Sequence, residues 1–170
     1  MSAADAADDD LADLQFFEIP HMRRLTAEQN AGAACVWCAA ALAPGAGVDL
    51  GEGMGWRPHS CGRCYPLRVA VVRTFRNLHA HWTSCTPCEG AARVGDRLCA
   101  EATTRQAAHL RARKAADKET PTCFSCRNPI TERESQAGTF APHVWTAPNS
   151  STPYRTFVHT GVCLWNETVL

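Results

Sequence analysis

No run of roughly 18 apolar residues occurs in the chain, so no segment is predicted to cross a membrane as a helix. It opens without the basic stretch and apolar segment of a secretory leader, and this acidic start gives the expectation of a cytoplasmic protein. Lysine is scarce, with two against fifteen arginines. Large side chains to bury are scarce too: apolar residues make up 45% of the chain, but ten positions are Cys and much of the rest is Ala. Alanine buries little area, so a conventional large core is under-supplied. At 170 residues the chain accommodates one ordinary domain or two or three small ones. Metals or cross-links then have to supply part of the stability. In a reducing compartment clustered Cys bind metal rather than form disulfides.

What is present is organised around those cysteines. Residues 1–15 are acidic and Ala-rich and read as a disordered tail, extended to a boundary at residue 25. Thr26 and Gln29 make a capping box for a short helix that ends at Gly32 and delivers the chain to Cys35. Residues 39–56, broken by Pro44 and five glycines, predict a short hairpin or loop. Leu67, Val71, Phe75, Leu78 and Trp82 then recur at helical spacing as one apolar stripe, with Pro66 near the start. Arg68, Arg73 and Arg76 fall off that stripe, as a solvated or phosphate-binding face. A second helical stretch is predicted over residues 91–118. Its later part, RQAAHLRARKAADK, has only Leu110 as a large apolar residue and predicts a solvent-bridging connector between two modules, 26–119 and 120–170. The last segment has loop-forming residues around two short β-prone runs.

Four Cys-x-x-Cys pairs occur: Cys35/Cys38, Cys61/Cys64, Cys85/Cys88 and Cys123/Cys126. Each such knuckle presents two sulfurs to one tetrahedral ion. Cys64 and Cys85 are 21 residues apart, and a helix between them spans about 30 Å. An ion needs all its sulfurs about 2.3 Å away, so those two pairs serve different ions. Cys61/Cys64 therefore looks upstream to Cys35/Cys38, as C-x2-C-x22-C-x2-C with the second pair on the first turn of a helix. That arrangement, over residues 35–82, resembles a treble-clef zinc finger, which implies a knuckle and a helix N-terminus clamping one ion.

Cys85/Cys88 finds its remaining ligands in Cys99 and in His81, which stands four residues before Cys85; the alternative for His81 is an ordinary helix C-terminal histidine. The last set is Cys123, Cys126, Cys163 and His159, with His143 as the competing histidine. WRPHSCGRC and YRTFVHTGVC share an aromatic, then Arg, then the first ligand of the second pair at the same distance. The C-terminal segment thus reads as a degenerate copy of the first finger, with His159 in the place of Cys61. Ten Cys with His81 and His159 make twelve ligands, enough for three tetrahedral zinc ions.

Net charge zero hides an asymmetry. Residues 1–20 hold six acids and no base, so the remainder carries 17 bases against 11 acids. With zinc thiolates included the body falls to about +2, a weak electrostatic footprint for nucleic acid. The segments LTAEQNAGAACVWC, VDLG, PHSCGRC and HWTSCTPC resemble a group of short, Cys-rich, uncharacterised proteins of high-GC bacteria, over roughly residues 25–100. The resemblance implies a recurring zinc module and carries no activity.

The expected architecture is a small α+β metal-stabilised fold: two treble-clef-like fingers joined by helices, with a third zinc site between them. The expected function is non-catalytic, an adaptor or regulator whose partner is a protein first and a nucleic acid second, with no membrane and no small-molecule substrate. For nucleic acid the candidate residues are Arg63, Arg68, Arg73, Arg76, Arg105, Arg111, Arg113 and Lys114. The rival reading is a cytidine-deaminase-like enzyme. In it Cys99, Cys123 and Cys126 hold a catalytic zinc and Glu101 shuttles protons, from the resemblance of LCAE and PTCFSC to that family's motifs. A thiol-redox role is a third.

Overall fold

The computed structural model describes residues 3–52, 56–94, 96–146, 153–161 and 163. The chain divides into two compact units, Met1–Val72 and Arg73–Leu170. This boundary falls inside a helix, not at residue 119, where the sequence predicts it. Among the described residues no helix is long and apolar enough to cross a membrane.

The acidic start departs from the predicted disorder: α1 runs Ala3–Phe17. Its alanines favour helix. What fixes it is Leu14, fully buried with Val69 and Val72 beside Trp37 and Tyr65. Gln15 donates from Nε2 to the Leu50 carbonyl at 2.7 Å, and the Trp37 indole donates to the Glu18 carbonyl at 3.0 Å. A 3-10 turn, Met22–Arg24, leads to α2, Ala27–Asn30, which starts with the predicted Thr26/Gln29 capping box. Buried Gln29 then donates from Nε2 to the carbonyls of Cys35 and Val36, tying that box to the first cysteine. Residues 39–56, predicted as a hairpin or loop, hold β1 (Val48–Asp49), which pairs antiparallel with β2 (His59–Ser60), beyond that range. Gly32, at φ +72, is where the chain passes β2. A Cβ there would run into the His59 ring and lie 2.8 Å from the Arg57 carbonyl oxygen.

The predicted stripe is a 21-residue helix, α3, Cys64–Ser84, with Val71, Phe75 and Leu78 buried. In the second unit it is followed by α4 (Thr86–Val94), α5 (Ala100–Ala115), α6 (Glu132–Ala137) and the antiparallel hairpin β3 (Phe140–Thr146) with β4 (Pro153–His159). The core here is Phe75, Leu78, Ile130, Phe140 and Phe157, with Leu110 against it. The Phe157 ring meets those of Phe75 and Phe140 edge-on, at 5.5 and 5.4 Å.

The single helix predicted over 91–118 is two helices, and it is not a solvent-bridging connector. The chain breaks before Cys99, whose sulfur caps α5 by accepting from the Ala102 N–H at 3.4 Å. α5 then buries Ala102, Gln106 and His109 along one face. Gln106 donates from Nε2 to the Phe140 carbonyl, and His109 Nδ1 meets Thr74 Oγ1 at 3.0 Å, so one polar atom of each side chain is hydrogen-bonded inside the unit.

The segments around Cys35 and Cys123 share a local backbone pattern. Ala34 bridges Ala41 and Thr122 bridges Pro129, both antiparallel; Cys35 bridges His59 and Cys123 bridges Phe157, both parallel. The amides of Cys35 and Cys123 donate five residues on, to Ala40 and Asn128, both at 2.8 Å. Each knuckle ends in a left-handed residue directly after its second cysteine, Ala39 at φ 58 and Arg127 at φ 63. Neither is glycine, so each holds its Cβ against the neighbouring carbonyl. Ala39→Gly is therefore expected to raise stability by about 0.5–1 kcal/mol, the relief being partly offset by a more flexible unfolded chain, as read from thermal unfolding.

Candidate metal centres

Three clusters gather the twelve predicted ligands: Cys35, Cys38, Cys61 and Cys64; His81, Cys85, Cys88 and Cys99; and Cys123, Cys126, His159 and Cys163. Within each, the four donor atoms all lie within 4.8 Å of one another. Four sulfurs arranged 2.3 Å from a common centre stand about 3.8 Å apart. Cys38 and Cys61 sulfurs are 3.9 Å apart, His81 Nε2 is 3.2 Å from Cys99 and 3.6 Å from Cys88, and His159 Nδ1 is 3.4 Å from Cys126. These are edges of tetrahedra sized for a metal ion, so each cluster can hold one.

Secondary structure explains how each set converges. In the first cluster the knuckle after α2 supplies Cys35 and Cys38; Cys61 follows β2 and Cys64 opens α3. In the second, His81 comes from the last turn of α3, Cys85 and Cys88 from the start of α4, and Cys99 from the cap of α5. In the third, the knuckle at Cys123 and Cys126 meets His159 at the end of β4, and Cys163 follows. The competing histidine, His143, lies instead against Phe124, with ring centroids 5.9 Å apart.

The electrostatics of each cluster are uneven. Burial alone would raise Cys35, but backbone N–H groups of Cys61, Cys38 and Trp37 outweigh it and bring the thiol down to about 6. Its neighbour Cys64 is pushed up, by burial and by the surrounding sulfurs. Likewise Cys99 is lowered to about 7, burial being outweighed by the Ala102 N–H and by contacts to Cys88 and His81, while burial and the Cys99 and Cys85 sulfurs push Cys88 up to about 12. The Asn128 N–H chiefly lowers Cys126 to about 7, while burial and neighbouring sulfurs raise Cys163 to about 12. One thiolate in a cluster thus makes the next costly, and only a cation lets the whole set ionise.

Two carboxylates stand behind the histidines. His81 Nδ1 is 3.7 Å from Glu101 Oε2, and Glu101 is itself held by Arg105 at 2.6 Å. His159 Nε2 is 3.0 Å from Glu134 Oε1. Burial alone would raise Glu134, but the Thr131 N–H and hydroxyl and the facing imidazole hold it below the ordinary carboxylate range. The sequence reading names Glu101 only for the deaminase alternative and misses Glu134. Its one signal was the T-x-x-E capping box at Thr131, present as predicted by no hydrophobic pattern.

The deaminase ligand set is not assembled: Cys99 belongs to the second cluster, Cys123 and Cys126 to the third. Three of the eight basic candidates are held by neighbours within their own unit. Arg68 pairs with Glu18 at 3.3 Å and lies over Trp37. Arg105 is bound to Glu101 and to the Asn77 carbonyl, and Arg113 donates to the Glu119 carbonyl. Arg63, Arg73, Arg111 and Lys114 are exposed and Arg76 is half-buried.

Because bound sulfur must be deprotonated, metal uptake releases protons and weakens as pH falls. With one thiol per cluster lowered to between about 6 and 7, loading at pH 7 is expected to release roughly two to three protons per ion. Calorimetric titration with Co(II) in buffers of different ionisation enthalpy measures this; uptake without proton release would exclude thiolate ligation.

No family model, no curated protein and no solved structure matches the chain, so the arrangement of these residues is the ground for a functional reading.

Proposed function

We propose that the protein is a non-catalytic zinc-finger adaptor or regulator of the cytoplasm, built on two treble-clef-like fingers with a third zinc between them, and that its partner is a protein. The observation that carries this is the closure of all three clusters: each offers four Cys or His donors to one centre. Structural zinc takes four protein ligands, whereas catalytic zinc keeps a position for water or substrate. Thiolate with imidazole in tetrahedral array favours zinc over magnesium, calcium or manganese. The internal engagement of Arg68, Arg105 and Arg113 favours a protein over a nucleic acid.

Metal analysis of the purified protein is the direct test, with three zinc ions per chain expected. Cys64→Ser, Cys88→Ser and Cys163→Ser should each remove one ion and leave the other two. A strong chelator should unfold the zinc-loaded chain, seen as loss of helical circular dichroism. A chain with one zinc, or one that stays folded after all metal is stripped, would sink the reading.

A further inference from the structure

We propose that Glu134 is a positioning residue of the third centre: its carboxylate receives the Nε2 side of His159 and so commits Nδ1 to the ion. This deepens the zinc reading above and rests on it. A neutral imidazole has one N–H and one lone pair, and a metal can use only the nitrogen with the lone pair. His159 has Nδ1 on the sulfur side, 3.4 Å from Cys126, and Nε2 on the opposite side, 3.0 Å from Glu134 Oε1. Nε2 is shut off from solvent and, among the described residues, makes no hydrogen bond of good geometry, to Glu134 or to any other group. The Glu134 carboxylate, 3.0 Å away, is the acceptor within reach of a proton on Nε2, and a small turn of the ring would close the bond.

Glu134 is fixed for that task by its own helix. Its other oxygen, Oε2, accepts from the Thr131 N–H at 2.7 Å and from the Thr131 hydroxyl at 2.8 Å, closing the capping box of α6. With Oε2 held, Oε1 faces the imidazole without further ordering cost. The second centre has the same parts in another order. There Nε2 of His81 faces the sulfurs and Nδ1 faces Glu101, at 3.7 Å, too long for a hydrogen bond. Arg105 draws Glu101 away with contacts of 2.6 and 3.2 Å. The two Cys3His centres thus present opposite ring nitrogens, and the carboxylate support is tight in the third and loose in the second. A carboxylate on the far nitrogen orients the ring and raises its basicity as a ligand, and losing one costs about 10–100-fold in metal affinity.

The test uses the full zinc-loaded chain and a chromophoric chelator, following release of each ion. Glu134→Ala should release one ion of the three about 10–100-fold more readily than wild type, and that fast ion should be absent in Cys163→Ser. Glu134→Gln keeps a neutral acceptor and a capping-box side chain, and should restore part of the loss. Thr131→Ala removes the hydroxyl but keeps the N–H that holds Oε2, so it should loosen the third zinc far less than Glu134→Ala. Nitrogen-15 correlation spectra of His159 should place the proton on Nε2. Wild-type release from Glu134→Ala, equal release from Thr131→Ala, or a proton on Nδ1 overturns the assignment. A wild-type chain with no third ion overturns the zinc reading itself and is told apart by the metal count alone.

Discussion

Repulsion between sulfur anions is the constraint around which this molecule is arranged. Four donors within 4.8 Å of one another cannot all ionise unless a cation sits among them, and the uneven thiols of every cluster express that conflict. The apolar core is correspondingly modest, and two of its clusters are themselves made partly of ligands. Cys88 packs with Leu98 and Ala102, beside Cys99 and Trp82, and Cys123 packs with Ala141 and Val158, beside Cys163. In these two clusters candidate ligands and apolar side chains pack together, so loss of one loosens the other.

The two knuckle-bearing segments show how little shared sequence such a frame requires. Bridges, amide partners and left-handed residues recur at matched positions, while the side chains between the ligands differ almost completely. Exchanging Cys61 for His159 changes a four-thiolate set into three thiolates and an imidazole, with one unit less negative charge on the loaded centre. The imidazole brings a second nitrogen that needs a partner, and Glu134 stands there. Capping boxes appear in both segments with different uses: Thr26/Gln29 precedes the first knuckle and its glutamine holds the knuckle carbonyls, while Thr131/Glu134 follows the second and its glutamate turns to the ligand.

Ligand identities were legible because coordination imposes spacing: a two-residue gap makes a knuckle, and a 21-residue helix forbids sharing. α3 was legible for the usual reason, an apolar stripe at helical period. α5 was not, because the face it buries is Ala102, Gln106 and His109, and polar side chains report burial only once their hydrogen bonds to Phe140 and Thr74 are seen. α1 was hidden by its composition; one leucine, Leu14, and the backbone carbonyl of Glu18 anchor a helix whose charges suggest solvent. Three of the arginines read as candidates for phosphate, Arg68, Arg105 and Arg113, are partners for Glu18, Glu101 and main-chain carbonyls.

Cys99 shows where such economy leads. Its sulfur belongs to the second cluster and also accepts the Ala102 amide that begins α5. An alkylated or oxidised Cys99 would therefore uncap a helix as well as vacate a coordination position. Through Gln106 and His109 that helix supports the hairpin that ends at His159. Damage to a single sulfur atom would thus reach past its own cluster, into the packing beneath the hairpin that carries His159.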